Sequence, residues 1–345
     1  MMRAGRFRYV AARSVADAAA ALADGGPQAS LLAGGTDLVP NMKRRQQTPD
    51  VLISLRRVEE MRGVSVNGDT SIGACTTLHD IVRDPSLRRH EALFRAAVQV
   101  ATPLIRSTAT IGGNLCLDTR CNYYNQSYEW RKAIDFCMKA PGSEPAICWV
   151  APSSPRCWAV SSSDTAPALI ALDARVTLFS KADGAREIPL DALYRDDGID
   201  HLARRPDEVL SRVRIPPGEW KSTYWKLRRR GSFDFPVLGV AAAIRFGPRG
   251  VVEEARIVLG AVASRPLLLP ESSSLNGQTL TDEVIDQFAE RASRHAKPLD
   301  NTDFQMTWRK AIAEQYLAGV LRELRGDDPA TFSLLARRAV LRPGA

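Results

Sequence analysis

The sequence lacks the features that would place it in a membrane or in the best-known nucleotide-binding classes. No apolar run in its 345 residues is long enough for a membrane-spanning helix, and no apolar segment follows the N-terminal arginines as a signal peptide requires. G-x-G-x-x-G and G-x-x-x-x-G-K-S/T are both missing, which excludes the usual Rossmann and P-loop motifs. We therefore expect a cytoplasmic protein with no membrane partner, whose six cysteines stay reduced.

Histidine is also scarce. The four histidines lie far apart in the sequence, so no histidine triad and no histidine metal site is predicted. The charge is unbalanced, with a formal net charge of +8 and a pI near 9.4. The basic residues nevertheless stand in short scattered groups, such as 43–45 and 228–230, without a DNA or RNA recognition module. We expect no nucleic-acid partner, because an acidic protein or an anionic substrate suits this charge equally well.

A glycine turn follows the first predicted buried strand. Residues 29–33 form a short apolar segment, which breaks into Gly34-Gly35-Thr36-Asp37-Leu38 at the start of a helical turn. A strand followed by two glycines and a polar pair is a common way to present consecutive backbone amides to a pyrophosphate. For one such motif alone, a tight turn without a ligand is the simpler alternative.

A second glycine turn, Thr110-Ile111-Gly112-Gly113-Asn114, follows an apolar helical segment. A dinucleotide diphosphate needs several amide donors, and two loops from different elements can clamp it from two sides. The pair of turns therefore favours dinucleotide binding more strongly than either turn does alone.

Hydrophobic periodicity predicts both helices and strands along the chain. Ser14 and Asp17 form a predicted capping box, in which Asp17 reaches back to the backbone amide of the cap. Helical spacing occurs at 78–82, 87–100, 281–296 and 304–324. Strands are predicted at 50–55, 64–66, 70–73, 174–179, 186–190, 209–215, 222–228, 237–246 and 255–262.

Four of the six cysteines, Cys121, Cys137, Cys148 and Cys157, lie in one segment among tyrosines, tryptophans and basic residues. The segment shows no helical or strand period, so it is predicted to be a long loop that needs a staple, which four thiolates around a metal centre would supply. No C-x-x-C occurs. The spacing alone therefore does not separate an iron–sulfur cluster from tetrahedral zinc, or from incidental thiols on a surface insertion.

We expect the remaining two cysteines, Cys75 and Cys116, to be structural, although Cys116 is close enough in sequence to replace Cys121 in the ligand set. Basic residues around the proposed metal centre are predicted to guide an acidic electron donor towards it. These residues are Arg131, Lys132, Lys139 and Arg156.

The two glycine turns, together with Ser163-Asp164-Thr165-Ala166-Pro167, resemble the FAD-binding medium subunits of the molybdenum hydroxylases, the xanthine dehydrogenase and carbon monoxide dehydrogenase family. The resemblance implies an α+β fold. A PCMH-type FAD-binding domain would span 1–216, with lobes at about 1–57 and 58–216, and a CO dehydrogenase flavoprotein-like C-terminal domain with terminal helices would span 217–345. The cysteine segment, at about 117–160, is similar to an insertion in the beta subunit of 4-hydroxybenzoyl-CoA reductase, where it holds a [4Fe–4S] cluster.

Carried over by this resemblance, the first turn (Leu31, Leu32, Ala33, Gly34, Gly35, Thr36, Asp37 and Leu38) and the second (Thr110, Ile111, Gly112, Gly113 and Asn114) would hold the FAD diphosphate. Val100 and Leu210 would contact the flavin ring system, Asp164 its polar side, and Lys226 its edge. Cys121, Cys137, Cys148 and Cys157 would be the ligands of the [4Fe–4S] cluster.

The family also implies two partners, a large molybdopterin-binding subunit and a small subunit with two [2Fe–2S] clusters, assembled as a dimer of heterotrimers. The chain would pass electrons from a ferredoxin-like donor through [4Fe–4S] and FAD towards molybdenum, for the reductive dehydroxylation of 4-hydroxybenzoyl-CoA to benzoyl-CoA. One alternative is the FAD subunit of another molybdenum hydroxylase, of the aldehyde, xanthine or CO dehydrogenase type, with an added cluster. A second alternative is a zinc-stapled basic binding protein with no redox role.

Overall fold

The computed structural model of the chain describes residues 3–140, 147–328 and 331–332. Residues 141–146 of the predicted cysteine insertion, and residues 329–330 and 333–345 of the predicted C-terminal domain, lie outside the described residues. The strands are β1 (Arg8–Ala11), β2 (Ala29–Leu32), β3 (Val51–Ser54), β4 (Val64–Asn67), β5 (Asp69–Gly73), β6 (Arg175–Ser180), β7 (Gly184–Pro189), β8 (Val209–Ile215), β9 (Lys221–Leu227), β10 (Leu238–Phe246), β11 (Val252–Gly260) and β12 (Leu267–Leu268). The α-helices are α1 (Val15–Gly25), α2 (Leu38–Lys43), α3 (Leu78–Arg83), α4 (Glu91–Val98), α5 (Pro103–Arg106), α6 (Ile111–Leu115), α7 (Tyr128–Ala133), α8 (Thr165–Ala171), α9 (Asp282–Ser293) and α10 (Met306–Arg325).

The strands form three sheets. The first is parallel, with the order β1-β3-β2. The second is antiparallel, with the order β4-β5-β8-β6-β7, and the third is antiparallel, with the order β12-β11-β10-β9. The mixture of parallel and antiparallel sheets with helices confirms the predicted α+β class. No helix in the described part of the chain combines the length and the apolar character needed to cross a membrane.

The first two sheets share one hydrophobic core. Ile53 of β3, Ile72 of β5 and Val213 of β8 are fully buried in it. Helices α1, α3, α4 and α8 each contribute buried side chains to the same core. Burial of such side chains is worth about 1.5–3 kcal/mol each. This core holds the elements from which both glycine turns project.

The third sheet is buried on both faces. Along β9, Tyr224 packs into the first core while Trp225 packs into a second core that β9–β11 share with α9 and α10. Along β10, Ala241 and Ala243 face the first core, and Val240, Ala242 and Ile244 face the second. Because side chains alternate across a strand, one sheet serves both cores.

Most predicted helices and strands are confirmed, with ends shifted by a few residues. The predicted helix at 87–100 begins only at Glu91, and the cysteine segment, expected to be irregular, contains the short helix α7. The prediction of a capping box at α1 is confirmed for Ser14 and wrong for Asp17. Ser14 Oγ accepts from the Asp17 amide at 3.0 Å, but Asp17 accepts from the amide of Arg13, one residue before the cap. The domain boundaries inferred from resemblance stay predictions.

A buried histidine makes the stability of this fold depend on pH. His90 is buried, its Nε2 lies 2.9 Å from Thr70 Oγ1, and burial with help from Arg89 lowers its pKa to about 4. Between about pH 6.5 and pH 4, His90 is therefore protonated in the unfolded chain but mostly neutral in the native chain. We expect the unfolding free energy to fall by about 2 kcal/mol over this window as the pH is lowered.

Urea unfolding at pH 7 and pH 4.5 measures this loss. The variant His90→Gln, which cannot titrate, should lose distinctly less stability between the two values. An equal loss in both proteins would contradict the role of His90.

Candidate functional site

A cavity of about 490 Å³ lies between the first sheet and the segment around α5 and α6. Both glycine turns line it, since the first leaves the end of β2 and the second forms α6. Val100, Leu210 and Asp164, which were predicted to contact the flavin, also line it. Among the predicted flavin-site residues, Ile111 and Lys226 do not line it.

The first turn presents a row of unpaired amides to this cavity. None of the amides of Gly34, Gly35, Thr36 and Asp37 donates to an acceptor within the described part of the chain. Gly35 has φ +72°, a backbone conformation that residues with a Cβ rarely adopt. Consecutive free amides bordering a cavity form an anion site of the kind that a diphosphate occupies.

The amides of residues 111–114 in the second turn already donate within the protein, contrary to the expectation that both turns donate to the ligand. The Gly112 amide donates to Ala74 O at 2.8 Å, and the Gly113 amide donates to Thr110 Oγ1 at 3.1 Å, as part of the α6 cap. The Asn114 side chain instead accepts from Ser163, Thr165 and the Thr165 amide. The second turn therefore contributes shape, while the first contributes donors.

Two of the glycines are required by close backbone contacts. A Cβ on Gly34 would lie 2.0 Å from Thr108 O, and a Cβ on Gly112 would lie 2.9 Å from Ala74 O. The first contact presses the two turns together, and the second holds α6 against the end of β5. At Gly113, by contrast, only Thr110 Oγ1 at 3.0 Å would meet a Cβ, so its open side borders the cavity.

Lys226 lies in the protein interior. Its Nζ donates to Asp164 Oδ2 at 2.8 Å and to Gln99 O at 3.1 Å, and the side chain is fully buried. The other Asp164 oxygen accepts from Tyr224 Oη at 2.7 Å. Burial raises the pKa of Asp164 and lowers the pKa of Lys226, and in each case their ion pair opposes the shift. Lys226 thus positions Asp164 at the cavity wall.

Several cavity residues were not found from the sequence. Ser162 Oγ, His201 Nε2 and Arg120 Nε are buried, line the cavity and have no hydrogen-bond partner in the described structure. Burial lowers the pKa of His201, so its ring is neutral at neutral pH. Buried polar atoms without partners are rare in folded proteins and point to a missing ligand. Of these three residues, only Ser162 could have been found from the sequence, because it directly precedes the Ser163-Asp164 motif.

Arg120 connects this cavity to the cysteine segment. Its guanidinium forms an ion pair with Asp37 of the first turn and lies 4.5 Å from the ring centroid of Phe235 at the cavity edge. Arg120 directly precedes Cys121 in the chain. Cys121, a candidate ligand of the proposed metal centre, therefore follows directly on a residue in the wall of this first cavity.

The four cysteines predicted to act together are brought together. Cys121, Cys137, Cys148 and Cys157 are all buried, and all line one small second cavity. Cys75 and Cys116 line the first cavity instead, which separates Cys116 from the other set. Within the residues that the structure describes, no three Cys, His, Asp or Glu side chains converge tightly enough to hold a single metal ion.

Backbone amides surround the sulfur atoms. Cys157 Sγ accepts from the Ala159 amide at 3.4 Å, and further amides interact with Cys121 and Cys137. Burial raises the pKa of Cys157 to about 11 and also raises the pKa of Cys137, while these amides act in the opposite direction. Because the thiolate is the form that binds a metal, these N–H donors would stabilise the sulfurs as ligands once a metal displaces their protons.

Two of the four basic residues expected to attract an acidic donor are buried, so the expectation is wrong for them. Arg131 is 1% exposed and donates to the carbonyls of Arg44 and Arg45, and the Lys139 side chain is 6% exposed. Arg156 is partly exposed and paired with Asp196. Of the four, only Lys132 belongs to the exposed residues.

Comparison with known proteins places this geometry in context. Residues 5–218 match the family model of the FAD binding domain in molybdopterin dehydrogenase, and residues 222–324 match that of the CO dehydrogenase flavoprotein C-terminal domain. The aldehyde oxidoreductase FAD-binding subunit PaoB of Escherichia coli K12 is 32% identical over 333 residues, covering 92% of this chain and 98% of its own. The xanthine dehydrogenase FAD-binding subunit of Escherichia coli O157:H7 is 27% identical over 326 residues, covering 90% and 96%.

A solved structure agrees with these matches. Carbon monoxide dehydrogenase from Hydrogenophaga pseudoflava, in a form that lacks the Mo-pyranopterin moiety of its cofactor, superposes with a TM-score of 0.75 at 26% identity. The alignment covers 93% of this chain and 98% of that chain. The fold implied by the family resemblance is thereby confirmed.

The open side of Gly113 allows a test of the cavity as a flavin site. In Gly113→Val, the branched side chain should occupy space at the cavity wall, so the flavin bound per chain should fall severalfold while the fold is retained. Flavin released on denaturation and the melting temperature of the flavin-free protein are the measurements. Gly5→Val is the matched control, because no atom lies within 4 Å of a Cβ there. Normal flavin content in Gly113→Val would contradict the assignment of this wall.

Proposed function

Because this chain belongs to the FAD-binding subunits of the molybdopterin dehydrogenases, we propose that it is an electron-transfer flavoprotein subunit that binds FAD in the first cavity. The observation that carries the proposal is the row of free amides from Gly34 to Asp37 at the cavity wall. These donors would hold the FAD diphosphate, and Ser162 and His201 would meet polar atoms of the cofactor. When bound, FAD exchanges electrons one or two at a time, which lets it join one-electron and two-electron carriers.

We further propose that Cys121, Cys137, Cys148 and Cys157 are the ligands of one [4Fe–4S] cluster. Their convergence on one cavity, their burial and the backbone amides at the sulfurs support this. A cubane binds each cysteine to a different iron, so its ligands stand farther apart than those of one zinc ion. Such a cluster would supply a one-electron relay.

Membership of this family also suggests which subunits the chain assembles with. We propose a large molybdopterin-binding subunit that carries out the chemistry and a small subunit with two [2Fe–2S] clusters, assembled as a dimer of heterotrimers. Several relatives are themselves called the medium chain or FAD-binding subunit of a dehydrogenase or an oxidoreductase. A low-potential, ferredoxin-like protein would deliver electrons at the cysteine segment. With Arg131 and Lys139 buried, Lys132 and the partly exposed Arg156 remain to attract an acidic donor.

For the net reaction we propose reductive dehydroxylation of 4-hydroxybenzoyl-CoA to benzoyl-CoA. Two electrons and two protons then remove the para hydroxyl group as water, and two one-electron donors are oxidised. The support is the cysteine insertion itself, whose sequence resembles that of the reductase beta subunit. The second candidate, supported by the named relatives, is an oxidative hydroxylase of the aldehyde, xanthine or carbon monoxide type with an added cluster.

The ligand set makes a selective prediction. Cys137→Ser in anaerobically purified protein should lose most of its iron and sulfide, because a cubane needs all four thiolates, whereas FAD should largely remain. Cys116→Ser is the matched control, since Cys116 lines the other cavity, and it should keep its iron. Iron and sulfide analysis with EPR of the reduced protein decides the matter. Full cluster content in Cys137→Ser, loss of the cluster in Cys116→Ser, or stoichiometric zinc in the wild type would overturn the assignment.

The direction of electron flow needs the whole complex. The chain co-produced with its large and small partners should form benzoyl-CoA from 4-hydroxybenzoyl-CoA when a reduced low-potential donor is supplied. Product is measured by chromatography, and the same preparation is offered an aldehyde, xanthine or carbon monoxide with an oxidising dye as the control. Turnover of one of these substrates without any dehydroxylation would replace the reductase with the oxidative alternative.

A further inference from the structure

Two buried charges lie in the wall between the two cavities. Lys139 lines the second cavity, which the four cysteines also line and which we call the cysteine cavity. Asp118 lines the first cavity, which the two glycine turns also line and which we call the dinucleotide cavity. Lys139 Nζ lies 2.7 Å from Asp118 Oδ1, and the two side chains are only 6% and 10% exposed. The pair therefore touches both candidate redox sites while water is excluded from it.

The ammonium group is fixed by its surroundings. Besides Asp118, Lys139 Nζ donates to the backbone carbonyl of Thr119 at 3.1 Å and to that of Gly198 at 2.9 Å. It also lies 4.9 Å from the ring centroid of Tyr124, which itself lines the cysteine cavity. An ammonium group held by several acceptors in the interior cannot turn towards solvent.

The carboxylate is held just as firmly. Asp118 Oδ1 accepts from the Thr119 amide at 2.8 Å, and Oδ2 accepts from Gln47 Nε2 at 3.2 Å. Gln47 and Asp118 both line the dinucleotide cavity. The positive end of the pair thus lies beside the sulfurs of Cys137 and Cys157, and the negative end lies at the wall of the dinucleotide cavity.

We propose that the Lys139–Asp118 pair is a positioning pair that sets the relative reduction potentials of the two redox groups. The proposal rests on the proposed function, because it requires both FAD and the cluster. Reduction adds negative charge to each group, and charges act strongly on each other where water is excluded. Lys139 therefore raises the potential of the cluster, and Asp118 lowers that of the flavin. The pair therefore makes the difference in reduction potential smaller between a low-potential cluster and the flavin that the cluster reduces.

Redox titration of the complete complex tests the pair. The cluster is followed by EPR and the flavin by visible absorbance. In Lys139→Gln, the midpoint potential of the cluster should shift to more negative values, since a cation is lost and Asp118 is left uncompensated. In Asp118→Asn, the midpoint potential of the flavin should shift to more positive values. Lys132→Gln is the matched control, because it removes an exposed charge from the same segment and should move neither potential.

Variants with altered cofactor content remain informative. If Lys139→Gln does not retain its cluster, Lys139→Arg keeps the charge and should give a cluster potential close to that of the wild type, and Asp118→Asn still reports on the flavin. Unchanged potentials in Lys139→Gln and Asp118→Asn, with iron and flavin at wild-type levels, would overturn the role of the pair and leave the proposed function standing. A wild-type complex without iron would instead overturn the proposed cluster and, with it, the pair.

Discussion

The contact between the backbones of Gly34 and Thr108 is the constraint on which the cavity depends. There is no room for even one methyl group, because a Cβ on Gly34 would lie 2.0 Å from Thr108 O. The contact brings the loop that leaves β2 against the segment that leads into α6. The amides of the first turn are then held in place by geometry, without being used in hydrogen bonds of their own. A ligand can take them without breaking any protein contact, which is the condition for a preorganised site.

The parts of this architecture that could be predicted from the sequence are those encoded locally. Glycine pairs mark tight turns, apolar periodicity marks helices and strands, and four cysteines in one irregular segment favour a common centre. The environment of single charged residues could not be predicted. Arg131 and Lys139 read as surface cations, yet each is buried by acceptors from other segments, such as Arg44 O and Asp118. Nor does any local pattern show that the amides of the second turn are used within α6 and by Ala74.

Polar contacts join the cysteine segment to the part of the chain between β2 and β3. Gln46 Nε2 donates to Tyr124 O at 2.6 Å, and Tyr124 Oη donates back to Gln46 O at 2.9 Å. Arg131 adds contacts to the end of α2, and Arg120 adds its pair with Asp37. These groups are buried, so leaving one unpaired would cost about 1–3 kcal/mol. The segment is therefore held in register with the first turn even though it contributes little to the main hydrophobic core.

The sharing of the third sheet between two cores has a mechanical consequence. Strand β9 carries Tyr224, which bonds Asp164 at the cavity wall, next to Trp225, which packs under α10. Pulling the C-terminal part away would expose apolar side chains on both faces of one sheet and break the contacts that hold Asp164. A boundary in the sequence near residue 217 is therefore no hinge. Residues 233–235, which follow that boundary, therefore keep a fixed place in the wall of the dinucleotide cavity.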